Sequence, residues 1–140
     1  MKPSARLTSA QVRERMKLSP FIQQLGIRLS RVHADGVTLA CPVDQTLHNV
    51  IGSVHGGVTA TMADTAAGFA IARELGGIQA ITTVEFKINY FRPIVDGTLF
   101  ARARVLRLGK TVCVAAVDLH DDARRPVGTA LVTYLQIKGA

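Results

Sequence analysis

The sequence predicts an α+β domain in which an antiparallel sheet wraps around one long central helix. Residues 58–75 are nearly all apolar or small, and such a run is typical of a buried helix. Strand-like segments follow it at residues 80–90, 98–108, 111–120 and 127–137, with only short turns between them. Because no helix separates these late strands, we expect antiparallel pairing and not a parallel, doubly wound sheet.

Two short helices are predicted at the start of the chain. Thr8 is followed three residues later by Gln11, which predicts a capping box at the start of the first helix. The pair Ser19-Pro20 has the residues of an N-cap and a first helical turn, and Gly26 is expected to end the second helix. Together the two helices are expected to cover one end of the core.

A hairpin is predicted between these helices and the long one. Residues 27–32 and 37–43 are strand-like and are joined by a turn that ends in Gly36. Pro42 has no N–H to donate, so we expect the second strand to lie at a sheet edge or to contain a bulge. Residues 44–54 are predicted to form a loop that leads into the long helix.

The clearest half-buried strand is predicted at residues 80–90. Polar and apolar residues alternate there, and strict alternation places every second side chain on one face. The face expected to pack against the core carries Val84, Phe86, Ile88 and Tyr90.

Composition limits the possible functions. The 140 residues, 48% hydrophobic and 19% charged, are typical of one globular domain, which we divide into N-terminal helices at 1–25 and a main body at 26–140. No apolar run approaches the roughly 20 residues of a membrane span, and no secretory signal is evident, so a cytoplasmic location without a membrane partner is expected. The net charge is +7, but the Lys and Arg residues are scattered along the chain and no nucleic-acid-binding motif accompanies them, so no nucleic-acid partner is expected. The cysteines and histidines do not have the spacing of metal ligands, so no metal site is expected.

One carboxylate interrupts the apolar helix. Asp64 is the only charged residue of this run before Arg73, and a carboxylate in such surroundings must be compensated, neutralised or used. It is either a structural group held by nearby hydroxyls or a functional one. Gly56 and Gly57 lie where the first helical N–H groups lack partners, which suits an oxygen that gains negative charge.

Spacing decides how these groups could cooperate. Eight residues separate Gly56 from Asp64, which corresponds to roughly 12 Å of helix, whereas a reacting carbonyl must lie about 3 Å from both groups. If they serve one reaction, they come from two chains of a symmetric dimer that has two equivalent sites.

These residues resemble a known family. Asn49, Gly52, the His55-Gly56-Gly57 turn and Asp64 are similar in type and spacing to the signature of the hotdog-fold acyl-CoA thioesterases, in particular the PaaI-like branch. The similarity extends to the segments INYFRP at residues 88–93 and GKT at 109–111, and covers residues 26–136. It implies a hotdog fold that dimerises and forms a homotetramer as a dimer of dimers.

The resemblance also implies an activity and a site. The expected reaction is hydrolysis of a small aryl- or medium-chain acyl-CoA without a cofactor, CoA being part of the substrate. Gly56, with Gly57, would hold the oxyanion, and Asp64 of the opposite chain would act as general base or nucleophile. The remaining expected site residues are Asn49 to position the carbonyl or water, His55 to order the turn, and Thr83, or alternatively Thr82 after a one-residue bulge, to assist Asp64.

A nucleotide-binding role is weighed for four further residues. Gly109-Lys110-Thr111 is not a phosphate-binding P-loop, because the earlier glycine of that motif falls on Arg104. It is either an ordinary hairpin turn or, as the resemblance implies, a contact with the CoA moiety. The candidate contacts with CoA are Arg92, Arg107, Lys110 and Thr111.

Two other functions remain open at this stage. Enoyl-CoA hydratases and dehydratases share the hotdog fold but resemble different motifs. A non-enzymatic acyl-CoA sensor would keep the glycine turn yet lack a usable acid or base, and the presence of Asp64 argues against it.

Overall fold

The computed structural model describes residues 5–77 and 80–138, and their hydrophobic side chains form one core. Helix α1 spans Ser9–Met16 and helix α2 spans Pro20–Leu25. The predicted capping box is confirmed, since the Thr8 side chain accepts a hydrogen bond from Gln11 N and the Gln11 side chain accepts one from Thr8 N. Gly26 ends α2 in the left-handed conformation, with φ of 72°, which glycine adopts without strain.

The long helix α3 spans Gly56–Glu74 and packs on the inner face of the sheet. Met62, Ala66 and Ile71 are fully buried, and small residues between them allow the strands to approach the helix closely. The prediction of a helix buried on all sides is only partly right, because Asp64 and Phe69 remain partly exposed. The six strands cover only part of the helix circumference, so one stripe of α3 stays open to solvent in the single chain.

The sheet is antiparallel throughout, as predicted. Its strands follow the chain order β1 Arg28–His33, β2 Gly36–Pro42, β3 Ala80–Tyr90, β4 Thr98–Leu108, β5 Val112–His120 and β6 Pro126–Ile137. Their spatial order is β1-β2-β4-β5-β6-β3. Strand β3 therefore lies at an edge, directly after α3 in sequence but next to the last strand in space.

The expectation for Pro42 is wrong. Strand β2 lies between β1 and β4 and is not an edge strand. Pro42 is tolerated because it is the last residue of β2 and pairs with Thr98 of β4, whereas pairing with β1 already ends at Ala40. Its missing N–H therefore removes no hydrogen bond from a neighbour on the β1 side.

The alternation predicted for β3 also fails at one point. A register shift between Thr83 and Glu85 inserts Val84 as an extra, unpaired residue, and the Val84 side chain is 51% exposed. Phe86 and Ile88 pack on the core as expected. The bulge changes the strand parity, so that Thr83 and not Thr82 projects from the same face as Phe86.

Candidate active site

His55 caps the first turn of α3. Its Nδ1 accepts a hydrogen bond from Gly57 N at 2.8 Å, so the predicted ordering of the turn by His55 is present. An accepting Nδ1 carries no proton, and the ring therefore serves here as a cap. The same bond occupies the Gly57 N–H, which leaves Gly56 as the available amide of the glycine pair.

Gly56 lines a pocket of about 350 Å³. No described residue accepts a hydrogen bond from Gly56 N, whereas the Gly56 carbonyl accepts one from the Tyr90 hydroxyl at 2.7 Å. A Cβ atom on Gly56 would meet the Tyr90 ring at 3.4 Å, an ordinary packing distance. The fold of the single chain therefore does not require glycine at this position.

Asn49 lies in the same pocket but is also engaged in its own loop. Its Oδ1 accepts hydrogen bonds from the backbone N–H groups of Ile51 and Ser53, and its Nδ2 donates to Ser53 Oγ at 3.1 Å. An amide nitrogen has two hydrogens, so Nδ2 retains one for a ligand. The structure thus places Asn49 beside Gly56, as the resemblance implied, and also shows it stabilising the loop that precedes α3.

Asp64 lies two turns further along α3 and is bound by two hydroxyl groups. Thr83 Oγ1 donates to Asp64 Oδ1 at 2.7 Å, and the Tyr134 hydroxyl donates to the same oxygen at 2.7 Å. Thr82 is exposed on the opposite face of β3. Of the two candidate threonines, the structure therefore brings Thr83 to the carboxylate. A bulge in β3 was expected to favour Thr82, but the observed bulge at Val84 favours Thr83 instead.

Tyr134 is a site residue that the sequence did not reveal. It lies on β6, 70 positions from Asp64, and no local pattern marks it. Burial raises the pKa of the Tyr134 hydroxyl far above its ordinary value, and the adjacent Asp64 carboxylate adds to the rise while the hydrogen bond with Thr83 opposes it. The hydroxyl is therefore protonated at neutral pH and can donate to the carboxylate.

Asp64 borders a second, apolar pocket of about 280 Å³. Ile22 of α2, Phe69 of α3 and Ile81 of β3 line it together with Tyr134. Gly56 does not reach this pocket, and Asp64 does not reach the pocket at Gly56. A single chain therefore leaves the candidate oxyanion donor and the candidate carboxylate in different pockets.

The four predicted CoA contacts are not brought together within one chain. Arg92 lines the Gly56 pocket, near the end of β3 and the start of β6. Arg107, Lys110 and Thr111 lie at the β4–β5 turn, where the Thr111 carbonyl accepts a hydrogen bond from Gln136 N at the far end of β6. The ordinary hairpin interpretation of this turn is supported by Gly109, where a Cβ atom would lie 2.4 Å from the Val112 carbonyl oxygen.

The described residues contain no metal-binding cluster, meaning no group of three or more His, Cys, Asp or Glu side chains placed to hold an ion. Within the same ranges, no helix is long and apolar enough to cross a membrane.

The fold and the site define the class of protein. The sequence profile of the thioesterase superfamily matches residues 51–127, which include the glycine turn, Asp64 and Thr83. The chain belongs to this superfamily, and the predictions of a hotdog fold and of a thioester hydrolase are confirmed at that level.

Individual relatives agree with this assignment. The chain is 29% identical over 131 residues to the medium/long-chain acyl-CoA thioesterase YigI of Escherichia coli K12, with 83% of this chain and 84% of that protein covered. A thioesterase family protein from Silicibacter pomeroyi superimposes with a TM-score of 0.84 at 31% identity, over 94% of this chain and 100% of the other. A thioesterase from Haemophilus influenzae shares the fold, with a TM-score of 0.88 at 24% identity over 98% of this chain and 95% of that one.

Proposed function

We propose that the chain is an acyl-CoA thioesterase that hydrolyses a small aryl- or medium-chain acyl-CoA to the free acid and CoA. The observation that carries the proposal is the Asp64 carboxylate, which two hydroxyls hold at the edge of an apolar pocket while an unpaired amide at Gly56 begins the same helix. Such a pair supplies what thioester hydrolysis needs, a basic or nucleophilic oxygen and a donor for the oxyanion.

The complete site forms between two copies of the chain. Gly56 and Asp64 are separated by eight residues of helix, roughly 12 Å, and line different pockets. Among the described residues 5–77 and 80–138, strand β3 pairs only with β6, so its other edge offers unpaired backbone groups to a second β3 strand. A two-fold axis at this edge would bring Gly56 of one protomer toward Asp64 of its partner and create two equivalent sites.

Exposed apolar side chains support the same arrangement. Val50 and Ile51 project from the loop before α3 with exposed fractions of 103% and 83%, and Val84 of β3 is half-exposed. Large aliphatic groups at such exposure gain free energy when a partner covers them. A homodimer would cover these groups, and a tetramer would form by pairing two such dimers.

Two routes from the thioester to the products are open. As a general base, Asp64 takes a proton from water, the hydroxide adds to the thioester carbon, and the oxyanion is held by the Gly56 N–H. The oxyanion then collapses, the C–S bond breaks, and the proton on Asp64 passes to the departing CoA thiolate. As a nucleophile, a carboxylate oxygen of Asp64 adds to the same carbon and expels CoA thiolate, and water then hydrolyses the anhydride. Both routes release the acid and CoA and regenerate the carboxylate.

The Asp64 pocket is the proposed site of the acyl group. Phe69, Ile22 and Ile81 give it an apolar lining next to the carboxylate. Arg92, which lines the Gly56 pocket, is the basic residue best placed for the CoA moiety. Arg107, Lys110 and Thr111 would contribute only if the partner brings the β4–β5 turn to the same cleft.

Free CoA release from a panel of aryl and straight-chain acyl-CoAs tests the proposal, with the native chain compared with Asp64→Asn. The expected result is turnover by the native chain and a loss of at least about 100-fold in the variant, because the amide is neither a base nor a nucleophile of comparable strength. Size-exclusion chromatography confirms that the variant keeps the native oligomeric state. Acyl-CoA binding without cleavage by the native chain would instead identify a sensor.

A further inference from the structure

The two oxygens of the Asp64 carboxylate are not equivalent. Both hydroxyl donors, from Thr83 and Tyr134, contact Oδ1. No group in residues 5–77 or 80–138 donates to Oδ2. An ionised carboxylate accepts about four hydrogen bonds over its two oxygens, so the arrangement keeps one oxygen available for water or a ligand.

The register of two strands brings the hydroxyls to this oxygen. Thr83 of β3 and Tyr134 of β6 are directly paired residues, and directly paired residues project from the same face of a sheet. The bulge at Val84 is needed as well, because strict alternation from Phe86 would turn Thr82 toward α3 and Thr83 away. The convergence on Oδ1 therefore depends on a specific irregularity of the sheet.

Gly68 provides the space for the Tyr134 hydroxyl. It lies four residues after Asp64 on α3, on the same side of the helix. A Cβ atom at Gly68 would lie 2.6 Å from the Tyr134 hydroxyl oxygen and 3.1 Å from the ring carbon that bears it. Glycine weakens the interior of a helix relative to alanine, so its presence here fits a requirement for space at the hydroxyl.

We propose that Tyr134 is a positioning residue for thioester hydrolysis, which holds Oδ1 of Asp64 together with Thr83 so that Oδ2 is the oxygen that meets water or substrate. The inference rests on the proposed function and adds to it the residue that orients the carboxylate. The Tyr134 hydroxyl also lies 2.8 Å from the Asp64 backbone oxygen, so it contacts both the side chain and the helical turn that carries it. Its protonated state at neutral pH keeps it a donor throughout turnover.

Two single variants and their combination test the inference through kcat and KM for a cleaved acyl-CoA. Tyr134→Phe removes the hydroxyl but keeps the ring, and Gly68→Ala keeps the hydroxyl but displaces it. We expect each to lower kcat about tenfold, since a hydrogen bond to a charged group is lost. In Tyr134→Phe the ring stays in the pocket lining, so KM should change less than about twofold there, whereas Gly68→Ala adds a methyl group to that lining and is judged by kcat. The double variant should be no slower than the slower single variant, because both changes remove the same contact.

Thr133→Val is the matched control. Thr133 is the neighbour of Tyr134 on β6 and donates to the Glu85 carboxylate, but it projects from the opposite face of the sheet. Its loss removes a hydroxyl–carboxylate bond without touching Asp64, so native kcat is expected. Thermal unfolding of every variant verifies that the fold is intact, and Gly68→Ala provides the test if Tyr134→Phe does not fold.

The outcomes separate this inference from the proposed function. Native-like kcat in folded Tyr134→Phe or Gly68→Ala, alongside an inactive Asp64→Asn, would overturn the positioning role and leave the thioesterase proposal standing. Additive losses in the double variant, or a kcat loss of similar size in Thr133→Val, would also overturn it, since both indicate a general effect on packing. If the native chain cleaves no thioester, both proposals fail together.

Discussion

The amide of Gly56 can be removed with little disturbance to the helix, which allows a sharp test of its role. In Gly56→Pro the N–H is absent, and proline is favoured at the first position of a helix. His55, the preceding residue, has φ of −59° and ψ of 135°, an extended conformation outside the α region that a following proline disfavours. The Gly56 N–H also has no acceptor in the described chain, so its loss breaks no internal hydrogen bond.

The expected effect of Gly56→Pro is a loss of about 100- to 1000-fold in kcat, or roughly 3–4 kcal/mol of transition-state stabilisation, which is typical for one oxyanion donor. Gly56→Ala is the matched control, because it adds a side chain but keeps the N–H, and its Cβ would contact Tyr90 only at 3.4 Å. The assay is release of CoA under saturating substrate. Equal activity of the proline and alanine variants would refute the role of the amide.

Hybrid dimers then test whether the site is shared between chains. In a dimer that joins a Gly56→Pro chain to an Asp64→Asn chain, one shared site loses both groups and the other keeps both. Doubly tagged hybrids should therefore have about half the native activity, although each parent is inactive. In the reciprocal hybrid, a native chain joined to a chain with both changes, each shared site lacks one group and no activity is expected. The reverse pattern would show that each site lies within one chain.

Two further predictions concern stability. Burial raises the pKa of the Cys41 thiol to about 11 from 9.0, with a smaller contribution from Asp44, so the folded state disfavours the thiolate. This contribution to stability is fully present below pH 9 and is lost as the pH rises through 11, an effect of about 2 kcal/mol in the free energy of unfolding by pH 11. Urea unfolding at pH 8 and pH 11 should show a loss that is smaller in Cys41→Ala than in the native chain by about this amount, because the raised pKa of Tyr134 lowers stability at pH 11 in both chains; equal losses would contradict it. Gly36→Ala should destabilise the fold by at least about 2 kcal/mol, because a Cβ atom there would lie 1.8 Å from the Ala103 carbonyl oxygen of the paired strand. A change below about 0.5 kcal/mol in urea unfolding at pH 8 would show that β2 and β4 can adjust.

Much of the fold could be predicted because its signals are local. The capping box at Thr8, the left-handed Gly26 and the turns between the late strands depend on residues within a few positions of each other. The helix N-terminus and Asp64 were also visible, since a charge in an apolar run and glycines at its start are features of a single segment. Helical rise alone was sufficient to predict that Gly56 and Asp64 do not meet within one chain.

The surroundings of Asp64 were decided only by the tertiary structure. Tyr134 reaches the carboxylate across 70 residues, and its approach depends on the register of β6 against β3. The choice of Thr83 over Thr82 depends on one extra residue in β3, and no local signal marks this bulge in the sequence. Pairing register is set by the sum of many contacts between distant segments, and a shift of one residue turns every side chain to the other face. The sequence by itself thus determined the elements and the reactive residue types, whereas strand register decided which hydroxyls hold the carboxylate and which of its oxygens stays free.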